Sequence, residues 1–180
     1  AHQTAKLNRL GFDRGNAVAV DRDGSVVIGG NTRSANFPLK NPFQSEFKAI
    51  WDNAFVAKLS PDLRSLIYSS YMGGSNLEGL SAVALDDLGN AYFGGGTQSV
   101  DYPTVAPIQA RSAGGGNDWF LSKISPEGRM LTSTYLGGDG GDVLSGLCWR
   151  KDQTLVGVGM STNGGFPLKE PIQPFLSQRI

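Results

Sequence analysis

The chain of 180 residues repeats itself, and this repetition constrains its fold more than any other feature. The segment AVAVDRDGSVVIGG at 17–30 returns as AVALDDLGNAYFGG at 82–95 and, more faintly, as GLCWRKDQTLVGVG at 146–159. The spacing is about 64 residues, which is of the order found in propeller and solenoid arrays. Because such arrays stack like units, we expect equivalent segments to adopt the same structure.

Three further motifs recur in the same order and extend the repeat over nearly the whole chain. They are NFPLKNPFQ at 36–44, with DYPTVAPIQ at 101–109 and GFPLKEPIQ at 165–173; NAFVAKLSP at 53–61, with DWFLSKISP at 118–126; and LIYSSYMGG at 66–74, with LTSTYLGG at 131–138.

Each full unit contains four strand-like segments, which in the first unit lie near 16–21, 25–30, 53–60 and 66–72. Branched and aromatic residues alternate there with small ones, and Asp-Gly or Ser-Pro marks the turns. Four strands in a meander make a propeller blade. We therefore predict an all-β fold: a β-propeller of tandem four-stranded antiparallel blades, with about two full blades, a partial third and an incomplete ring. The predicted divisions are 1–14, a terminal strand or tail, or the outer strand of a preceding blade; 15–74, the first blade; 75–138, the second; and 139–180, the partial third.

From about Gly15 to Gln173 these motifs resemble the bacterial SBBP-type β-propeller repeat, with its "AVD…GN-V-V-GGT" hairpin, "DFP" segment, "DAFVAKL-P-G" strand and final "YSTYLGG". The resemblance implies a propeller in secreted, periplasmic or surface-attached bacterial proteins, with no general enzymatic activity of the repeat itself. The third unit departs from the pattern, because its turn reads RKDQT where the others read DRDGS and DDLGN. We expect that hairpin to be atypical, as terminal repeats often are.

Composition excludes several functions. The 16 basic residues balance the 16 acidic ones, which disfavours nucleic acid as a partner, and no apolar stretch is long enough to span a bilayer. Cys148 lies in the column of Ala19 and Ala84 and is expected to be a buried small residue. His2 is the only histidine, so the usual ingredients of metal sites and of Ser-His or Cys-His catalysis are missing. We predict no catalytic residues, no metal ligands and no cofactor.

A binding site is expected where the long connections gather. The connections 31–52 and 96–117 are much longer than ordinary hairpin loops, and a meander puts them at one end of the sheets. Residues that recur there serve every blade: an aromatic residue before proline is predicted to plug the space between blades, and a glutamine to bond loop backbone. These recurring residues are Phe37, Tyr102 and Phe166, and Gln44, Gln109 and Gln173.

Residues that break the repeat, or that carry a charge on the long-loop face, are the candidate binding residues. Asp139 and Asp142 in GGDGGD could hold a calcium ion with backbone oxygens, although a solvated Gly-rich turn is the simpler interpretation. The candidate set is Trp51, Glu78, Asp101, Arg111, Asp139 and Asp142.

The leading hypothesis is a non-enzymatic, extracytoplasmic propeller module that binds protein or serves as a structural subunit of a surface or secreted assembly. Stacked sheets need neighbours on both sides, so we expect a protein partner or further copies to complete the propeller. A glycan is the other partner considered. The rival hypothesis is a carbohydrate-binding domain, or a carbohydrate lyase or hydrolase using acids or Tyr102 on the long-loop face.

Overall fold

The computed structural model describes residues 11–162 and 164–169. These residues form three antiparallel β-sheets of four, four and two strands and contain no helix, so the all-β prediction is confirmed. No helix able to span a membrane occurs in this part of the chain. The strands are β1 (Asp13–Val20), β2 (Val26–Thr32), β3 (Asn53–Leu59), β4 (Leu66–Met72), β5 (Glu78–Leu85), β6 (Ala91–Thr97), β7 (Asp118–Ile124), β8 (Met130–Leu136), β9 (Asp142–Trp149) and β10 (Leu155–Ser161).

Neighbouring strands in each sheet follow the order of the chain. The first sheet is β1-β2-β3-β4, the second is β5-β6-β7-β8, and the third is β9 paired with β10. Within each sheet, strands that are consecutive in the chain are therefore paired and are connected by a hairpin or a longer loop, as in a meander. We call them the first, second and third sheets.

A β-bulge occupies the same place in the first strand of every sheet. Asn16, Ser81 and Ser145 are the residues skipped in the pairing of β1, β5 and β9. The bulge brings a backbone carbonyl close to the partner strand: a Cβ on Gly95 would overlap the carbonyl oxygen of Gly79. Glycine is therefore required opposite each bulge, which explains one of the two recurring glycines in the second strand.

The sheets pack face to face in chain order. Strand β5 lies against β1 and β2, and β9 lies against β5 and β6. At each contact a leucine of the later sheet covers a glycine of the earlier one: Leu80 lies over Gly29, and Leu144 lies over Gly94. Both leucines are buried. The remaining core is aromatic and aliphatic, and includes Val27, Val56, Tyr68, Met72, Phe93, Tyr102, Phe120, Ile124 and Tyr135.

The expectation that the third hairpin is atypical is wrong for its hydrogen bonds. Arg150 N donates to Thr154 O over 2.9 Å, as Asp21 N donates to Ser25 O over 2.8 Å in the first hairpin. The difference is in the residue type, since all three hairpins have a positive φ at this position. Gln153 has a φ of 65°, where the other two hairpins place a glycine in this left-handed region.

The buried position predicted for Cys148 is also wrong, because the residue is exposed. Ala84 at the equivalent position is buried, since the third sheet covers the second. Within the described residues, no further sheet covers the corresponding side of β9 and β10. The burial of a residue at this strand position therefore depends on whether a neighbouring sheet covers it, which the repeat alone does not show.

Candidate functional site

The long connections lie together at one end of the sheets, which we call the loop end. Residues 33–52 and 98–117 join the second and third strands of the two complete sheets, and the crossings 73–77 and 137–141 lead to the next sheet. Backbone hydrogen bonds join these segments, for example from Glu78 N to Asp52 O (2.9 Å) and from Asp142 N to Asn117 O (2.7 Å). The loop end is thus a hydrogen-bonded surface that crosses from one sheet to the next.

The recurring glutamines bond backbone as predicted. Gln44 Oε1 accepts from Gly73 N and Gln109 Oε1 accepts from Gly137 N, each over 3.1 Å. Gln173 lies outside the described residues. These bonds anchor the long connections to the crossings.

The aromatic residues before proline were predicted to plug the space between blades, but two of the three make their ring contacts within one sheet. Phe37 packs on Phe55, and Tyr102 stacks on Phe120 with ring centroids 4.9 Å apart, both within their own sheets. Phe166 contacts a ring of the preceding sheet, that of Trp119. Tyr102 is buried, so it could act on a polysaccharide only after the core had opened.

Three of the candidate residues, Trp51, Arg111 and Asp139, are exposed at the loop end. Asp101 Oδ1 accepts hydrogen bonds from the backbone and side chain of Ser75, 2.8 and 2.9 Å away, and so ties a long connection to the preceding crossing. Partial burial opposes ionisation of Asp101, but the Ser75 bonds outweigh it and lower its pKa. This aspartate has a structural role.

Glu78 is buried at the contact between the first and second sheets, where it faces Asn53. Asn53 Nδ2 donates to Glu78 Oε2 over 2.8 Å and to Gly74 O over 3.2 Å. Glu78 Oε1 accepts from the hydroxyls of Thr97 (2.9 Å) and Ser99 (2.5 Å). Burial raises the pKa of Glu78, and these hydrogen bonds limit the rise. We call Asn53 and Glu78 the first seam pair.

Asp118 and Asp142 occupy the equivalent positions between the second and third sheets, and we call them the second seam pair. Both begin a strand, as Asn53 and Glu78 do, and both are buried. Asp118 Oδ2 accepts from the Ser112 hydroxyl over 2.5 Å, and Asp142 Oδ2 accepts from Gly138 N over 2.8 Å. The Oδ1 atom of each aspartate is buried without a hydrogen-bond partner among the described residues.

Electrostatics distinguishes the two seam pairs. Burial raises the pKa of Asp118, and the neighbouring Asp142 carboxylate raises it further, against the hydrogen bonds from Ser112 and the loop backbone. An amide faces a carboxylate in the first pair, whereas two carboxyl groups face each other in the second. Among the described residues, the second seam pair is where two neighbouring buried carboxyl groups each have an oxygen without a hydrogen-bond partner.

Sequence reasoning singled out Asp142 but paired it with Asp139. The structure instead brings Asp142 to Asp118, 24 residues earlier in the chain, while Asp139 points to solvent. A usable signal existed in the repeat, because NAFVAKLSP changes to DWFLSKISP at the position that faces Glu78 or Asp142. This signal can be interpreted only once the first residues of β7 and β9 are known to lie side by side.

The described residues contain no group of three or more His, Cys, Asp or Glu side chains that could hold a metal ion. Any cation at the second seam pair would need hydroxyl, backbone or water oxygens as further ligands. No protein-family model matches the chain, and no curated protein matches it either.

Proposed function

We propose that the chain is a β-propeller segment that acts as a non-enzymatic structural or protein-binding module, and that the two flanks left uncovered by the described residues pack against further sheets of the same kind. The supporting observation is the difference in burial between equivalent strands. Val83 and Leu85 of β5 are partly buried against the core, whereas their counterparts in β1, Val18 and Val20, are 66% and 67% exposed. Apolar residues on a strand face favour a covering partner when the exposed patch is continuous.

The two flanks are defined by their strands. The leading flank is the outer side of β1, with Gly15, Val18 and Val20. The trailing flank is the outer side of β10, with Val158, 61% exposed, and Met160, 54% exposed. Each consists of apolar residues that would be covered by a neighbouring sheet in a longer stack.

The flanks are complementary in size, which favours a second copy of this chain as the partner. Between the described sheets, the earlier sheet supplies glycine and the later sheet supplies leucine, as in Gly94 and Leu144. At the open flanks the order is reversed: Val158 stands at the glycine position, and Gly15 stands at the leucine position. A Cβ on Gly15 would meet nothing within 4 Å. The valine of one copy thus has room against the glycine of another.

A polar contact supports the same pairing. The bulge residue of each sheet donates to the backbone of the next: Asn16 Nδ2 to Leu80 O over 2.8 Å, and the Ser81 hydroxyl to Leu144 O. Ser145 is the third bulge residue and is exposed. In a head-to-tail contact its hydroxyl would reach the carbonyl of Gly15 in the second copy.

The proposed setting is outside the cytoplasm of a bacterium, in a secreted, periplasmic or surface assembly. Support for this comes from the resemblance to SBBP-type repeats, whose members belong to such proteins. The proposed role is structural, because the outer sheets of the module join those of a neighbouring copy. The loop end carries the sequence that varies between units.

The proposal is tested by measuring assembly size. Sedimentation velocity over a concentration series should show species heavier than the 19.1 kDa chain. Val158→Asp and Val18→Asp should each shift the distribution towards monomer, because a carboxylate would then be buried at the contact. Val100→Asp is the matched control, since Val100 is 81% exposed and lies in the long connection of the second sheet, outside β1 and β10. A well-folded monomer at every concentration, or an equal effect of Val100→Asp, would reject the proposal.

A further inference from the structure

The second seam pair contains an acceptor where the first contains a donor. In the first pair, the Asn53 amide supplies the protons that link Glu78 to the carbonyl of Gly74. Asp118 replaces that amide with a second carboxylate oxygen, and Gly138 is the counterpart of Gly74. The ionised Asp118 side chain has no proton to donate to Asp142. A cation or a shared proton is therefore needed between the two carboxylates.

The two carboxylates approach the same point. An ideal Cβ on Gly137 would overlap Asp118 Oδ1 and lie 2.9 Å from Asp142 Oδ2. Gly73 has the same relation to the first pair, since its Cβ would overlap Glu78 Oε2 and lie 2.5 Å from Asn53 Nδ2. The glycine before each crossing therefore leaves room for a pair of polar groups to meet. In the second pair the groups that meet are both acidic.

A third unsatisfied oxygen lies beside the pair. Ser161 is the strand partner of Asp142 in the β9-β10 ladder, and its buried Oγ has no hydrogen-bond partner in the described structure. In the second sheet the equivalent hydroxyl, Thr97 Oγ1, donates to Glu78. Asp142 has a side chain one carbon shorter than that of Glu78. The shorter carboxylate leaves the Ser161 hydroxyl without a hydrogen-bond partner.

We infer that the second seam pair is a calcium site, in which Asp118 Oδ1 and Asp142 Oδ1 bind the ion and Ser161 Oγ adds a third oxygen. Calcium is bound by six to eight oxygens, with backbone carbonyls and water completing the set in many proteins. Two unpartnered buried carboxylate oxygens are costly without a counter-ion. The ion would join β7 to β9 and so fasten the third sheet to the second. This inference holds whether or not the flanks associate.

The test uses the full chain and calcium alone. Thermal unfolding is followed by circular dichroism in chelator and in increasing calcium chloride, with magnesium chloride at equal ionic strength as the salt control. Calcium at a hundredfold excess over its Kd should raise Tm by about 5–10 °C. Terbium luminescence excited through tryptophan gives a direct measure of binding, because Trp119 is adjacent to Asp118.

Asp118→Asn distinguishes calcium bound at the second seam pair from calcium bound elsewhere on the chain. This variant recreates the donor of the first seam pair, so it should fold, lose the calcium-dependent rise in Tm and lose terbium emission. Asp139→Asn is the matched control: it removes the same charge from an exposed aspartate nearby and should keep both responses.

Two results would overturn the inference. One is a Tm of the unmodified chain that does not change at millimolar calcium, which would mean that Asp118 and Asp142 share a proton in place of an ion. The other is a calcium response that survives in Asp118→Asn, which would place the ion elsewhere.

Discussion

In the two seam pairs, single side chains determine whether the buried polar groups between neighbouring sheets have hydrogen-bond partners. Glu78 is surrounded by donors: the Asn53 amide, two hydroxyls and the backbone N–H of Gly74. Each of those hydroxyls could also accept, so a neutral group at position 78 can be accommodated. Burial nevertheless raises the pKa of Glu78, which means that desolvation of its carboxylate outweighs the hydrogen bonds.

The raised pKa makes the contribution of Glu78 to stability dependent on pH. The folded state retains the proton at pH values where the unfolded chain has released it, so the free energy of unfolding falls as pH rises from the ordinary pKa through the raised one. Glu78→Gln cannot lose a proton. We therefore expect the stability of Glu78→Gln relative to the unmodified chain to increase over that interval, as measured by urea unfolding at a series of pH values.

Glu127→Gln provides the control for this prediction. Glu127 is exposed, and its bond to Ser125 lowers its pKa, so the relative stability of that variant should change with pH in the opposite direction. A difference between Glu78→Gln and the unmodified chain that stays constant with pH would contradict the interpretation of Glu78.

Neighbouring sheets contact each other through a leucine of the later sheet that packs on a glycine of the earlier one. An ideal Cβ on Gly29 would lie 2.8 Å from Leu80 Cδ2 and 3.1 Å from the ring of Phe93. Leu80 and Phe93 are both fully buried, so neither can move aside without disturbing the core. The glycine is therefore required by the neighbouring sheet, in addition to the glycine that the bulge requires one residue later.

Gly29→Ala should destabilise the chain by about 1–3 kcal/mol, because the added methyl group overpacks the contact with Leu80. Gly79→Ala is the matched strand substitution in an open place, where the nearest atom to the new Cβ would be 4.0 Å away. It should be neutral or stabilising by about 0.4–1 kcal/mol. Both values come from urea unfolding. Equal stability of the two variants would show that the seam is loosely packed.

The order of strands was predictable from sequence because turn residues and alternation are local signals. The predicted segments 53–60 and 66–72 match β3 and β4, and only β1 begins earlier than expected, at Asp13. The seam pairs and the exposure of Cys148 were not predictable, because they depend on which sheets lie side by side. The substitution of Val158 for the recurring glycine was visible in the sequence, but its meaning required the position of Leu144 over Gly94.

At the scale of the whole molecule, the described residues form a stack in which each sheet contacts only its neighbours, so stability should vary along the chain. The second sheet is covered on both sides, while the first and third sheets each have one side uncovered by the described residues. The third sheet has two described strands and contacts the second through β9. Repeat arrays of this kind unfold most readily at units with few neighbours.

Hydrogen exchange should follow this order. Backbone amides of β6 and β7 should exchange most slowly, and those of β10 should exchange fastest among the strands, because local opening of β10 exposes little additional apolar surface. At concentrations where the chain associates, exchange should slow in β1 and β10 and stay unchanged in β6. Mass spectrometry of peptides from dilute and concentrated samples measures both effects. Protection of β10 equal to that of β6 in a monomeric sample would mean that the third sheet is stable without a covering partner, and the proposed role of the flanks would then fail.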